Sequence, residues 1–217
     1  MEPITRTFAQ TDWITLTLTG SLLCMLLAKS FYYSRFFNFI ILPFNNKYIG
    51  MYTKKEKLFN WFHILLSIFQ IINTTLFIFF LWRAFIRPTD EKNPYIFPLL
   101  LAAVFIFLSA KTLLQLINGF IFNNYRTFNE LIFKKLSYLN YSGIVLFISN
   151  VLLTYVFIDS KIVILAALIL FPIINIMGWV TVIRNYQKFI SSYFFYFILY
   201  LCALEIAPLV IMGSFLK

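Results

Sequence analysis

Six long stretches of this chain carry almost no charge, at residues 13–28, 58–82, 95–116, 137–158, 162–183 and 193–215. The exceptions inside them are Lys111 in the third and Glu205 in the sixth. A helix crossing the hydrocarbon core of a bilayer needs about 20 mainly apolar residues. Within lipid, every backbone N–H and C=O must be satisfied inside the segment. A β-barrel would require short strands of alternating character, whereas residues 104–108 and 163–171 are near-continuous apolar runs. The expected fold is therefore all-α, a polytopic integral membrane bundle of six transmembrane helices forming a single domain over 1–217. Composition agrees: 61% of the 217 residues are hydrophobic and 12% are charged, against about 25% charged in soluble domains. A soluble globular enzyme is excluded, and with 21% aromatic residues so is a disordered chain.

The net charge of +10 is distributed unevenly. The loops after the first, third and fifth stretches hold cations from Lys29 and Arg35 to Arg184 and Lys188, against Glu56 and Glu130 alone. They sum to +9 and the opposite side to +1, with Lys111 and Glu205 cancelling, which recovers the total of +10. Lys and Arg collect on the cytoplasmic side of membrane proteins, so both termini are expected to face away from the cytoplasm. A pI near 9.6 would suggest nucleic-acid binding in a soluble protein. Here the cations flank membrane spans, so no nucleic-acid partner is expected. The expected partners are the lipid bilayer, including its anionic headgroups, and one or more proteins of the membrane or envelope.

The N-terminal run lacks a basic start and a small-residue cleavage pattern, and it carries Glu2 and Asp12, so it is not expected to be a signal peptide. Cys24 and Cys202 both fall inside apolar stretches and are expected as small core residues. Two connections look like helices lying in the cytoplasmic interface. In 31–42, Ser34, Arg35 and Asn38 share one helical face, with Phe36, Phe37, Phe39 and Ile40 around the rest, and Pro43 ends the segment. In the second, Ile121, Tyr125, Phe128 and Ile132 recur at helical spacing.

An ionisable residue inside a span is costly to bury and marks a candidate site. Glu205 and Lys111 both lie deep in their stretches and are expected to pair or to share a polar cavity. Lys111, Gln115 and Asn118 form one stripe at i, i+4 and i+7. Gln70 and Asn73 in the second stretch, Asn150 with Thr154 in the fourth, and Asn175 in the fifth supply further polar groups that need partners within a bundle. Pro98, Pro172 and Pro208 are candidate helix kinks, Pro208 three residues after Glu205. No HExxH, GxSxG, glycine-rich phosphate loop or CxxC occurs. The single histidine, His63, is expected as an interfacial anchor beside Trp61 and Phe62, and one histidine cannot make a bis-histidine haem. No metal, cofactor or catalytic residue is expected.

The run FYFILYLCALEIAP from Phe195 to Pro208, together with Asp12-Trp13-Ile14 and Asn46-Lys47-Tyr48, resembles the Bacteroidota membrane proteins grouped as Domain of Unknown Function 4271. The resemblance spans nearly the whole chain. It implies a multi-pass inner-membrane location in a bacterium of that phylum, which makes the expected side of both termini periplasmic, and it transfers no activity. Three functional readings stay open. The leading one is a non-enzymatic membrane subunit or assembly factor of a cell-envelope complex. The others are a small proton- or cation-coupled transporter or channel using Glu205 and Lys111, and an intramembrane lipid-modifying enzyme.

Overall fold

The structure is a computed structural model that describes residues 12–43, 47–52, 60–85, 95–121, 125–158 and 160–185. These form α1 (Asp12–Phe31), α2 (Tyr33–Ile40), α3 (Lys47–Tyr52), α4 (Trp61–Phe85), α5 (Ile96–Ile121), α6 (Tyr125–Val151), a π-helical turn (Leu152–Val156) and α7 (Lys161–Asn185). The described residues contain no strand. The chain divides into two units, Met1–Gly178 and Trp179–Lys217. The described part of the second unit is the end of α7.

Five helical segments are long and apolar enough to cross a membrane: Asp12–Phe31, Trp61–Phe85, Ile96–Ile117, Thr127–Val156 and Lys161–Arg184. They coincide with the first five stretches expected from the sequence, and the protein is a multi-pass membrane protein by this measure. The sixth stretch, 193–215, lies outside the described residues. Charge placement helps the ends. Asp12 sits in the first turn of α1 and Lys29 in its last, while Arg83 and Arg184 close α4 and α7, each opposing the local helix dipole.

Helix α4 is the centre of the arrangement, packed against α1, α5 and α6, with α5 also against α6. Pairs between α4 and α6 keep a nearly constant separation. Ser67 meets Asn140, 73 residues on, and Asn73 meets Asn150, 77 residues on, so the two helices run parallel. Two apolar clusters occupy opposite ends. One gathers Phe36, Phe39, Leu42, Tyr48, Phe62 and Phe133 around the α2–α3 segment. The other gathers Ile14, Leu18, Leu76, Phe80, Leu153 and Ile164 near the π turn.

The connections differ from expectation. The chain breaks at Tyr32 (φ −134°, ψ 52°) before α2 begins, and of the expected polar face of α2 Ser34 is exposed while Arg35 turns inward. Arg35 is buried together with Phe36 and Phe39, while Phe37 is exposed. The physical reason is that the guanidinium finds aromatic faces, 4.7 Å from the Phe62 ring centroid and 5.0 Å from that of Tyr52, and a cation is held well there. The second expected interfacial helix is corrected too. Tyr125, Phe128 and Ile132 open α6 and continue unbroken into the fourth span. No glycine or proline stands between Tyr125 and Gly143, so nothing in that stretch stops the helix.

Candidate functional site

A run of buried polar side chains lines the α4–α6 seam. On α4 they recur at His63, Ser67, Gln70, Asn73 and Thr74, steps of four, three, three and one that keep to one helical face. His63 is 1% exposed, contrary to the interfacial anchor expected of it. Its Nε2 and the Tyr48 hydroxyl share a hydrogen bond of 3.3 Å, whose direction depends on the imidazole tautomer. The Phe133 ring meets the imidazole edge to face at 4.6 Å. Helix α3 thus reaches the bundle through Tyr48, which is also stacked on Phe133.

One turn further, the Ser67 hydroxyl and the Asn140 amide are in mutual hydrogen-bond range, with the Asn140 Nδ2 donating to Ser67 Oγ at 3.3 Å. Gln70 follows, fully buried, its Nε2 donating to Thr74 Oγ1 at 3.0 Å. The other end of its amide lies against Gly143, where an added Cβ would collide with Gln70 Oε1 and stand 3.2 Å from Gln70 Cα. Glycine is required at 143 for this close approach.

At the next level Asn150 donates from Nδ2 to the Asn73 backbone oxygen at 2.9 Å. That bond fixes the amide: flipped, Oδ1 would face the Asn73 carbonyl, oxygen against oxygen. Thr154, in the π turn, donates to the Asn150 carbonyl at 2.7 Å. Phe157 N–H reaches back five residues to the Leu152 carbonyl at 2.7 Å, the signature of the wider helix. Along the seam, Gln70 Oε1, Asn150 Oδ1 and His63 Nδ1 are buried without a hydrogen-bond partner among the described residues. The structure therefore joins Asn73 to Asn150 and places Gln70 on the same seam, beside Thr74 and Gly143.

The remaining candidates fall elsewhere. Gln115 is buried and Lys111 half-buried on α5. Gly119 of α5 abuts Phe128 of α6, so in this antiparallel pair Lys111 is about level with Leu136 and hence, through the α4–α6 register, near the level of His63. That is nearer the α2–α3 end than a mid-span position. The Asn118 side chain, Glu205 and Pro208 lie outside the described residues. Asn175 is half-buried and donates to the Phe171 carbonyl of its own helix at 2.8 Å, in the turn interrupted by Pro172. Pro98 stands in the first turn of α5, where its missing N–H forfeits no intrahelical bond, so it opens a helix instead of bending one.

The sequence missed His63, Tyr48 and Arg35 as one group. A signal existed in His63, Ser67 and Gln70 sharing one face of the second stretch, since a lone interfacial histidine needs no polar neighbours above it. No curated protein and no solved structure matches the chain. The model of the family described as domain of unknown function (DUF4271) matches residues 14–216, and the protein belongs to that family.

Proposed function

We propose that this protein is a non-enzymatic subunit or assembly factor of a cell-envelope complex, seated in the inner membrane of a bacterium with both termini on the periplasmic side. The observation that carries the reading is how little of the described chain stands apart from the spans. Only α2, of 8 residues, and α3, of 6, are additional helices among the described residues, and both fold back onto the bundle through Phe39, Tyr48 and Phe62. No soluble catalytic or sensory module is formed there. A chain of this kind acts through what it holds. Lys111 and Glu205 remain its proposed polar centre on the sequence argument of charge balance.

Affinity purification of the full chain in mild detergent, followed by mass spectrometry, tests the role. Defined membrane or envelope proteins should co-purify in constant ratio. A solitary monodisperse monomer under the same conditions would count against it.

A further inference from the structure

We propose that the α4–α6 seam carries protons along the bundle through a file of side chains and bound water, with His63 and Tyr48 at one end and the π turn at the other. Three observations support this, and none of them depends on which envelope complex the protein serves.

The first is continuity. Polar groups occur at each turn of the seam, from His63 through Ser67 with Asn140, Gln70 with Thr74, and Asn73 with Asn150, to Thr154. Projected on α6, this runs from about Leu136 to Thr154, or roughly 27 Å at 1.5 Å per residue, against a hydrocarbon core of about 30 Å. Successive levels are about one helical turn, 5.4 Å, apart, a gap that a single bridging water closes.

The second is unmet hydrogen-bonding capacity. Gln70 Oε1 and Asn150 Oδ1 accept from no donor among the described residues, and His63 Nδ1 is likewise without a partner. The Asn150 amide is pinned by its bond to the Asn73 carbonyl, so its oxygen cannot turn away to find a donor, and a water molecule supplies it. Gln70 meets the Thr74 hydroxyl, whose own proton goes to the Gln70 carbonyl.

The third is the type of group. The stations are amides, hydroxyls and one imidazole, all able to hold water that passes a proton on. A metal cation would need several oxygens converging on one point, and the donorless oxygens of the seam, Gln70 Oε1 and Asn150 Oδ1, sit about two helical turns apart. The π turn begins at Leu152, two residues after Asn150, a widening that recurs at functional sites.

Each transfer breaks one O–H or imidazole N–H bond and forms another on the next water, hydroxyl or imidazole, while the amides only hold the water in place. A proton entering at one end releases one at the other. No electron moves and no co-reactant is consumed.

The purified full chain, reconstituted in liposomes loaded with a pH-sensitive dye, is the test, with a potassium gradient and valinomycin setting the potential. An imposed pH difference should collapse faster than in protein-free liposomes. Asn150→Leu and Gln70→Leu should each slow the collapse roughly tenfold, as expected for loss of one hydrogen-bonding station. Ser142→Ala should not alter it, because that hydroxyl donates only to the Leu139 carbonyl of its own helix. A leucine in the seam can also loosen the bundle, so His63→Gln, which keeps a polar side chain at the end of the file, is the second variant and should slow the collapse as well. Wild-type protein no faster than empty liposomes, or unchanged flux in all three seam variants, would overturn the proposal. Equal leakage of sodium would overturn it too, by showing an open aqueous pore.

Discussion

Gly143 shows how one missing side chain positions two helices. The α4–α6 approach leaves the Gln70 amide against the Gly143 backbone, and the same closeness lets Asn150 reach the Asn73 main chain. Gly143→Ala forces a methyl group into Gln70, whose backbone as well as its amide is in the way. The expected cost is about 1–3 kcal/mol of stability, as for other overpacked interiors, read as a lower unfolding temperature in detergent. Gln70→Ala in the same chain should return part of it, because the flexible amide is half of the clash. At this scale the sequence was partly readable. Gln70, Asn73 and Asn150 were legible because an amide inside an apolar helix must find a partner. Arg35 was not, because the pattern argument assumed that a guanidinium faces water, whereas two aromatic rings received it. No single-sequence pattern reports which rings will be close in space.

Among the elements, the boundaries of the spans were the most legible part, since hydropathy reports directly whether a backbone segment must close its own hydrogen bonds. The connections were less so. The period of Tyr125, Phe128 and Ile132 was read correctly as helical but assigned to a separate interfacial segment, when nothing in the sequence divides it from the fourth span. The π turn had no sequence signal at all, because an i+5 bond depends on how α6 is held at both ends. Its effect is measurable. Within it, the Tyr155 hydroxyl donates to Thr15 Oγ1 on α1 at 2.9 Å. Deleting Val156 should restore α-helical bonding and leave the phase of the residues after it nearly unchanged relative to α4, because a single π turn takes up one extra residue. Cysteines introduced at 15 and 158 should then keep their yield of bis-maleimide cross-link relative to the undeleted chain. A strongly changed yield would show that the turn does not absorb an extra residue.

Across the whole molecule, the apolar flanks face outward. Leu99, Ile106, Leu113, Ile117 and Phe120 of α5 are exposed, and so are Leu165, Ile169 and Ile176 of α7, which suits helices in contact with lipid. Charge on such a flank is expensive. Ile106→Arg, ten residues into α5, should cost about 2.5–3.5 kcal/mol of insertion free energy, seen as a reduced inserted fraction in a translocon-insertion assay. The same change at Trp61, exposed at the first residue of α4, should be nearly silent. The class of fold was legible from the chain as a whole because scarcity of charge leaves no other solvent for it. The burial of His63 was not, because it depends on α3 and α6 covering one face of α4.

The parallel seam also dictates an order of events at the ribosome. Its two helices are not neighbours in the chain: Ser67 precedes Asn140 by 73 residues and Asn73 precedes Asn150 by 77. At about 5–20 residues per second, α4 is complete for roughly 4–15 s before its mate has been synthesised. Through that interval Gln70 and Asn73 stand in the membrane without the helix that will receive them, while α5 is inserted first and must settle on the outside. The nascent protein is thus most exposed to mispairing between its second and fourth spans, and that is when an insertase or a waiting subunit has most to offer it.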